Sequence, residues 1–157
     1  MPSRRNSIEL TAAETREFLD GAKTLIIVSN GKDGYPHPMP MWFYVDDAGC
    51  LYVTTFGKSQ KVLNWKRDPR ASLLVETGTE YSKLKGVVIY ARAEIIEDLD
   101  TAIDTLVKIN TRGQTVDAAQ RQALIGAVSK TAAKRAVIKF HPERYVSWDH
   151  AKLGGRY

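Results

Sequence analysis

Hydrophobic and polar positions alternate with two different periods along this chain, and the switches between them mark out its elements. Thr11 followed by Glu14 forms a capping-box pattern, so a short helix is expected from Ala12 to Leu19, stopped by Gly21. The β-branched run Thr24 to Ser29 reads as a strand, and Asn30-Gly31-Lys32-Asp33-Gly34 as a turn. From His37 to Val45 the chain must be extended, because Pro36, Pro38 and Pro40 forbid helix; prolines also confine such a segment to a sheet edge. Asp46-Asp47-Ala48-Gly49 turns the chain into a third strand, Cys50 to Thr55. Ser59 to Lys66 carries Val62, Leu63 and Trp65 on one side of a helix that Asp68-Pro69 ends.

The second half continues with strands at Ala71 to Glu76 and Val87 to Ile96, separated by a polar loop through Tyr81-Ser82-Lys83. Leu99, Ile103, Leu106 and Val107 recur at helical spacing, and a second helix is expected from Asp117, with Gln120 as its cap partner, through Leu124, Ile125, Val128 and Ala132. Ala136 to Phe140 and Arg144 to Trp148 read as two final strands, and Asp149 to Tyr157 shows no period. There is no internal repeat and no linker. Sequential hairpins with helices set apart predict a single α+β domain over residues 1–157, mainly β: a small antiparallel barrel with peripheral helices, not a doubly wound sheet.

Composition narrows the class. The 157 residues are 43% hydrophobic and 26% charged, the balance of an ordinary globular protein. The longest apolar runs, such as Leu25-Ile26-Ile27-Val28, fall far short of a membrane span, and no apolar segment follows Met1-Pro2-Ser3-Arg4-Arg5 as a signal peptide requires. Cys50 is the single cysteine, so no internal disulfide is available and a cytoplasmic location is expected. The net charge of +5 says less than its placement. Lys58, Lys61, Lys66, Arg67 and Arg70 face only Asp68, and a second basic zone runs from Lys130 to Arg156. Two basic zones suggest an anionic ligand or a solvated face, and no recognition helix or aromatic-basic stripe accompanies them as a nucleic-acid binder would show.

The segment richest in chemistry is Thr54-Thr55-Phe56-Gly57-Lys58-Ser59-Gln60-Lys61, a strand end, a glycine loop and a helix start. Free N–H groups and the helix dipole favour an anion at such a junction, hydroxyls of Thr54, Thr55 and Ser59 add donors, and Lys58 and Lys61 add charge. Two readings are open here: a phosphate cradle, or a helix capped by Ser59 with solvated lysines. The segment is not a Walker loop. His37, His141 and His150 share no metal-ligand spacing, and Asp98, Asp100 and Asp104 suit a helix start, so no metal is expected.

Taken together, Asp33-Gly34-Tyr35-Pro36-His37-Pro38-Met39-Pro40-Met41-Trp42-Phe43, the strand Gly49 to Thr55 and the run Ser59-Gln60-Lys61-Val62-Leu63-Asn64-Trp65-Lys66-Arg67-Asp68-Pro69-Arg70 resemble the pyridoxamine 5′-phosphate oxidase-like (FMN-binding split-barrel) superfamily. Within it, the sequence is most similar to the actinobacterial flavin/deazaflavin-dependent oxidoreductases of the B type. The resemblance covers Leu25 to Ile96, and the last strands fit the same plan. It implies a homodimer of split β-barrels with cofactors in clefts between protomers. Thr54, Thr55, Lys58, Ser59 and Lys61 would hold the cofactor phosphate with Asn64 near it, while Met39, Pro40, Met41 and Trp42 would contact the ring. The tail from Trp148 to Gly155 reads, from its own residues, either as a frayed end or as an aromatic, glycine-ended segment that folds over a partner's cofactor. The paired arginine and lysine of true pyridoxamine phosphate oxidases are replaced here by Met39-Pro40-Met41-Trp42. An apolar strand beside a basic zone implies the multiply anionic deazaflavin coenzyme F-420, with FMN as the alternative, and a small organic substrate. Catalytic side chains are not identifiable from the sequence; Tyr81, His150 or water would donate a proton. The competing classes are a non-catalytic carrier of a flavin-type ligand and a nucleic-acid binder.

Overall fold

The structure, a computed structural model, describes residues 4–155; the expected tail residues Arg156 and Tyr157 lie outside them. Its elements are α1 (Arg4–Ile8), α2 (Ala12–Gly21), β1 (Thr24–Asn30), β2 (Pro36–Trp42), β3 (Tyr44–Val45), β4 (Leu51–Phe56), α3 (Gln60–Arg67), β5 (Arg70–Thr77), β6 (Lys85–Ile96), α4 (Leu99–Thr111), α5 (Ala118–Ala132) and β7 (Arg135–Asp149). Short 3-10 turns occupy Tyr81–Lys83 and His150–Leu153. Both predicted capping boxes form, Thr11 with Glu14 and Asp117 with Gln120.

All strands join one antiparallel sheet in the order β2-β1-β5-β6-β7-β4-β3. This order dictates its shape. β2 and β3 lie at opposite edges, yet Phe43 alone separates Trp42 from Tyr44, so the sheet must curl until its edges approach. The result is an α+β split barrel. Phe43 is buried at that junction, and the Arg112 guanidinium stacks on its ring at 4.2 Å while donating to the Phe43 carbonyl at 2.8 Å. The same guanidinium also donates to the Leu19 carbonyl, which ties α4 and α2 to the point where the edges meet.

Inside the curl, Leu25, Ile27, Leu51, Val53, Leu73, Val87, Ile89, Ile138 and Phe140 form the core. α3 plugs one end: Val62 and Trp65 point inward, with Trp65 edge-on to Phe140 at 5.2 Å. The α4–α5 pair covers the outer face of β4 and β7 through Ala102, Leu106, Ala132 and Val137. β2 runs along an edge, as the prolines require, and most of its residues are exposed.

One expectation fails. Ala136 to Phe140 and Arg144 to Trp148 are not two strands but halves of β7, continuous across Pro142. Tyr90 pairs with Arg144 and Ala91 with Pro142, so Glu143 is an extra residue that makes a bulge. A bulge tolerates proline and reverses which side chains face inward. Ala136, Ile138 and Phe140 point to the core before it; Ser147, paired with buried Val87, does so after it. Trp148 therefore faces outward and lies flat over Gly86, where an added Cβ would come within 2.3 Å of its ring.

Candidate functional site

β4 ends where β7 begins. Thr54 pairs with Val137, Thr55 with Ala136 and Phe56 with Arg135, so Thr54, Phe56 and Arg135 share the outer face while Thr55 turns inward. At this rim the chain turns through Gly57 and Lys58 into α3. The Thr55 Oγ1 and Ser59 Oγ lie 3.3 Å apart. The Ser59 hydroxyl makes no cap hydrogen bond to α3, which separates the two readings of this serine: it is turned toward Thr55 and does not satisfy the helix end.

Arg135 was not singled out by its sequence context, and it completes the cluster. Its Nη1 donates to the Thr54 carbonyl and to Thr54 Oγ1, each at 3.3 Å, and its guanidinium sits 4.9 Å from the Phe56 ring. Its Nε is buried without a partner. Half-buried Lys61 lies close enough for Arg135 to act on it: burial, and then the Arg135 charge, push the Lys61 ammonium below the ordinary lysine range. Among the described residues no carboxylate pairs with Lys58, Lys61 or Arg135. Two cations that feel each other's charge, one with an orphaned donor, leave positive charge at this rim that no carboxylate among the described residues answers. Thr54 with Arg135 on the outer face, and Thr55 with Ser59 on the inner, thus flank the β4–α3 turn, with Lys61 on the first turn of α3 and exposed Lys58 in the loop.

Asn64, expected near the phosphate, has its side chain engaged by the protein. It is fully buried, donates through Nδ2 to Ser29 Oγ at 2.9 Å, and accepts from Gln60 Nε2 at 2.9 Å. With its amide spent on the protein, it fixes α3 against β1 and so supports the cradle from behind. The basic run also divides. Lys66 is paired with Glu97 at 3.0 Å, Arg70 with Asp68 at 2.7 Å, and Arg67 donates to the Asn30 carbonyl. Arg70 first, then Asn30, holds the Asp68 carboxyl well below the usual range. Three of the five cations expected to face an anionic ligand are therefore engaged within the protein, while Arg135, from a distant part of the sequence, is brought to the same end of β4.

The ring-contact candidates lie on β2. Met39 and Met41 point to the inner side, Met41 packing on the core, while Pro40 and Trp42 point outward, Trp42 being 65% exposed. His37, at the start of β2, lines a cavity with Gln60 and Asn64, which connects this strand to the α3 end of the cradle. Trp148 does not join them: Arg135 and Trp148 sit at opposite ends of β7. Tyr81 and His150 lie near that far end, their rings 4.6 Å apart and His150 Nδ1 2.8 Å from the Tyr81 carbonyl oxygen. Among the described residues no group of three or more His, Cys, Asp or Glu side chains could hold a metal ion, and no helix is long and apolar enough to cross a membrane.

Comparison with known proteins agrees with the fold. The chain superposes on the conserved hypothetical protein Rv2991 of Mycobacterium tuberculosis with a TM-score of 0.85 and 34% identity, covering 98% of this chain and 93% of that one. It shares the fold of an F-420 reductase (TM-score 0.61, 21% identity, 83% of this chain and 94% of that one). It also shares the fold of a FAD-binding protein of Mesorhizobium loti (TM-score 0.61, 21% identity, 88% and 94%). No curated protein matches it in sequence. The family profile described as pyridoxamine 5′-phosphate oxidase matches residues 11–149, nearly the whole of the described chain, and the protein belongs to that family.

Proposed function

We propose that this chain is one half of a homodimeric oxidoreductase that moves a hydride between a flavin-type cofactor and a small organic substrate. The observation that carries the reading is the cationic rim of Lys61 and Arg135, unpartnered by a carboxylate among the described residues, with the Thr54 hydroxyl on Arg135 and the Ser59 hydroxyl free of the helix end. These residues fit the phosphate of FMN or of the deazaflavin coenzyme F-420. The F-420 reductase and the FAD-binding protein that share the fold support the same cofactor class. Bound there, the ring itself supplies the hydride chemistry. The protein's part is to grip the phosphate, to set the ring beside β2, where Met39 and Met41 face inward and Pro40 and Trp42 outward, and to exclude water.

A second copy completes the site in this account. Trp148 is remote from its own cradle, and Trp42 and Tyr90 are exposed beside half-buried Ile26, Val28, Leu74, Val88 and Val146 on the outer sheet face. Pairing two such faces would bury apolar surface and carry one chain's Trp148 toward the other chain's ring. The β2 wall holds no cation, which suits a substrate without a phosphate. Apolar β2 residues also suit F-420, but the engaged Lys66, Arg67 and Arg70 remove most of the charge that distinguishes it from FMN.

The test loads the purified protein with FMN and, separately, with coenzyme F-420, reduces the bound cofactor, and follows its reoxidation by added acceptors. Reoxidation faster than that of the free cofactor supports an enzyme. Tight binding without acceleration for any acceptor would instead assign a non-catalytic carrier.

A further inference from the structure

A second cluster of reactive side chains lies at the opposite end of β4 from the cradle, about 16 Å along the strand from Thr55 to Cys50. Leu51 and Phe140 pair there, and both are buried in the core. The next residue along each chain, Cys50 and His141, therefore turns to the outer face. His141 pairs with Arg92 of β6, which makes Glu94 its diagonal neighbour on that face. The adjacent strands β4, β7 and β6 thus bring together a thiol, an imidazole and a carboxylate that are far apart in sequence.

His141 Nε2 lies 2.6 Å from Glu94 Oε2, and His141 Nδ1 lies 3.8 Å from Cys50 Sγ. The ionised carboxylate can only accept, so the neutral ring carries its proton on Nε2 and turns the Nδ1 lone pair to the thiol. Nucleophile, base and orienting group stand in that order. Burial, and then the Asp46 charge, raise the Cys50 thiol above its ordinary range; Glu94 adds to the rise and Lys139 opposes it. Cys50 therefore rests as a thiol and gives up its proton only as the sulfur attacks. Acyl transfer does not suit this arrangement, because the Cys50 amide, which would face an oxyanion, is spent on Asp46 Oδ1 at 2.8 Å. Attack on a disulfide needs no oxyanion donor, since the leaving group is itself a thiolate. We infer that Cys50 is a thiol–disulfide exchange site for a small-molecule disulfide, with His141 as its base and Glu94 as the residue that positions the imidazole. In the exchange a bond forms from Cys50 Sγ to one sulfur of the disulfide as the S–S bond of that molecule breaks. Sγ is oxidised and the departing sulfur is reduced. The thiol proton passes by way of His141 Nδ1 to the departing thiolate.

Cys50 is the single cysteine of the chain, so the mass of a mixed disulfide reads this site alone. The probe is bis(2-hydroxyethyl) disulfide, which has no titratable group of its own. Asp46, Glu94, Lys139, Arg92 and Tyr145 are the charged and titratable groups around the pair. The second-order rate of mixed-disulfide formation should rise with pH in two steps, the first governed by His141 and the second, more alkaline, by the thiol itself. His141→Gln should abolish the first step and slow the reaction about a hundredfold at pH 7, the low end for a positioned base. Glu94→Gln, whose amide no longer favours one tautomer, should fall between the two. Both side chains are about half exposed, so the fold should tolerate either change. Without any substitution, the folded protein should react faster at pH 6 than the same chain unfolded in urea. A single alkaline rise in the parent, equal rates for parent and His141→Gln, or a folded protein slower than the unfolded chain would each overturn the assignment. None of these outcomes bears on the cradle, which shares no residue with this cluster.

Discussion

Lys61→Ala removes the cation that the structure places beside Arg135 with no carboxylate to answer it. If Lys61 contacts the cofactor phosphate, the loss is one charge-assisted contact, worth about 1.5–3 kcal/mol, or roughly 10- to 150-fold in affinity. Folding should not suffer. The Lys61 pKa is lowered in the folded chain, first by burial and then by Arg135. A depressed lysine binds protons less well folded than unfolded, so its charged form opposes folding, and stability rises with pH through the window between the two values. Removing it therefore leaves the melting temperature equal or slightly higher. Phosphate binding reverses the balance, because the anion favours the ammonium. Affinity for FMN should hold at neutral pH and fall as pH climbs through the lowered Lys61 pKa, below the ordinary lysine range. In Lys61→Ala that fall should vanish. Fluorescence titration of FMN from pH 7 to 10, with melting curves of both proteins, reads all three quantities. Equal affinity for parent and variant, or an alkaline fall that persists in the variant, would refute the assignment.

Other expectations separate support from contact. Asn64→Ala strands the buried Ser29 hydroxyl and removes the partner of Gln60, so it should cost about 1–3 kcal/mol of stability by denaturant titration. Gly86→Ala places a methyl group against the Trp148 ring; a destabilisation of about 1–3 kcal/mol with a shift in tryptophan emission is expected, and an unshifted spectrum would mean that Trp148 does not rest there. The Lys152 ammonium holds the Glu14 carboxyl down to about 2 and pins the last 3-10 turn to α2. A carboxylate with a lowered folded pKa stabilises fully above its unfolded value near 4.5, and that contribution is lost as pH falls toward 2. Hydrogen-exchange protection at residues 150–153, taken relative to intrinsic rates at each pH, should fall over that interval in the parent and be low throughout in Lys152→Met. In sedimentation the protein should run as a dimer; a single 17.6 kDa species at micromolar concentration would contradict the paired outer faces.

Local patterns in the sequence carry most of this fold. The two capping boxes, the proline-bound edge strand and the Val62–Trp65 side of α3 each follow from short-range rules, and each is present. The short α1 has no apolar face and buries nothing, so no periodicity announces it. β7 was read as two strands because His141-Pro142-Glu143 looks like a break, whereas pairing with β6 absorbs the proline in a bulge. The site divides the same way. Thr55 and Ser59 are neighbours in sequence and meet in space. Arg135 reaches them only because β7 pairs with β4, a long-range fact that no local motif encodes. Lys134-Arg135 before the apolar run Ala136 to Ile138, inside the second basic zone, is the available signal, and it is a weak one. Conversely, Lys66, Arg67 and Arg70 form a basic tract in sequence that the fold turns onto Glu97, Asn30 and Asp68.

The central claim, that the Thr54–Ser59–Lys61–Arg135 cluster grips a flavin by its phosphate, is tested most directly by comparing FMN with riboflavin. The two share the ring and differ in the phosphate. Calorimetric titration should show FMN binding at least about tenfold more tightly, with the difference abolished in the Lys61→Ala, Arg135→Ala double variant. Riboflavin binding as tightly as FMN to the parent protein would contradict the account.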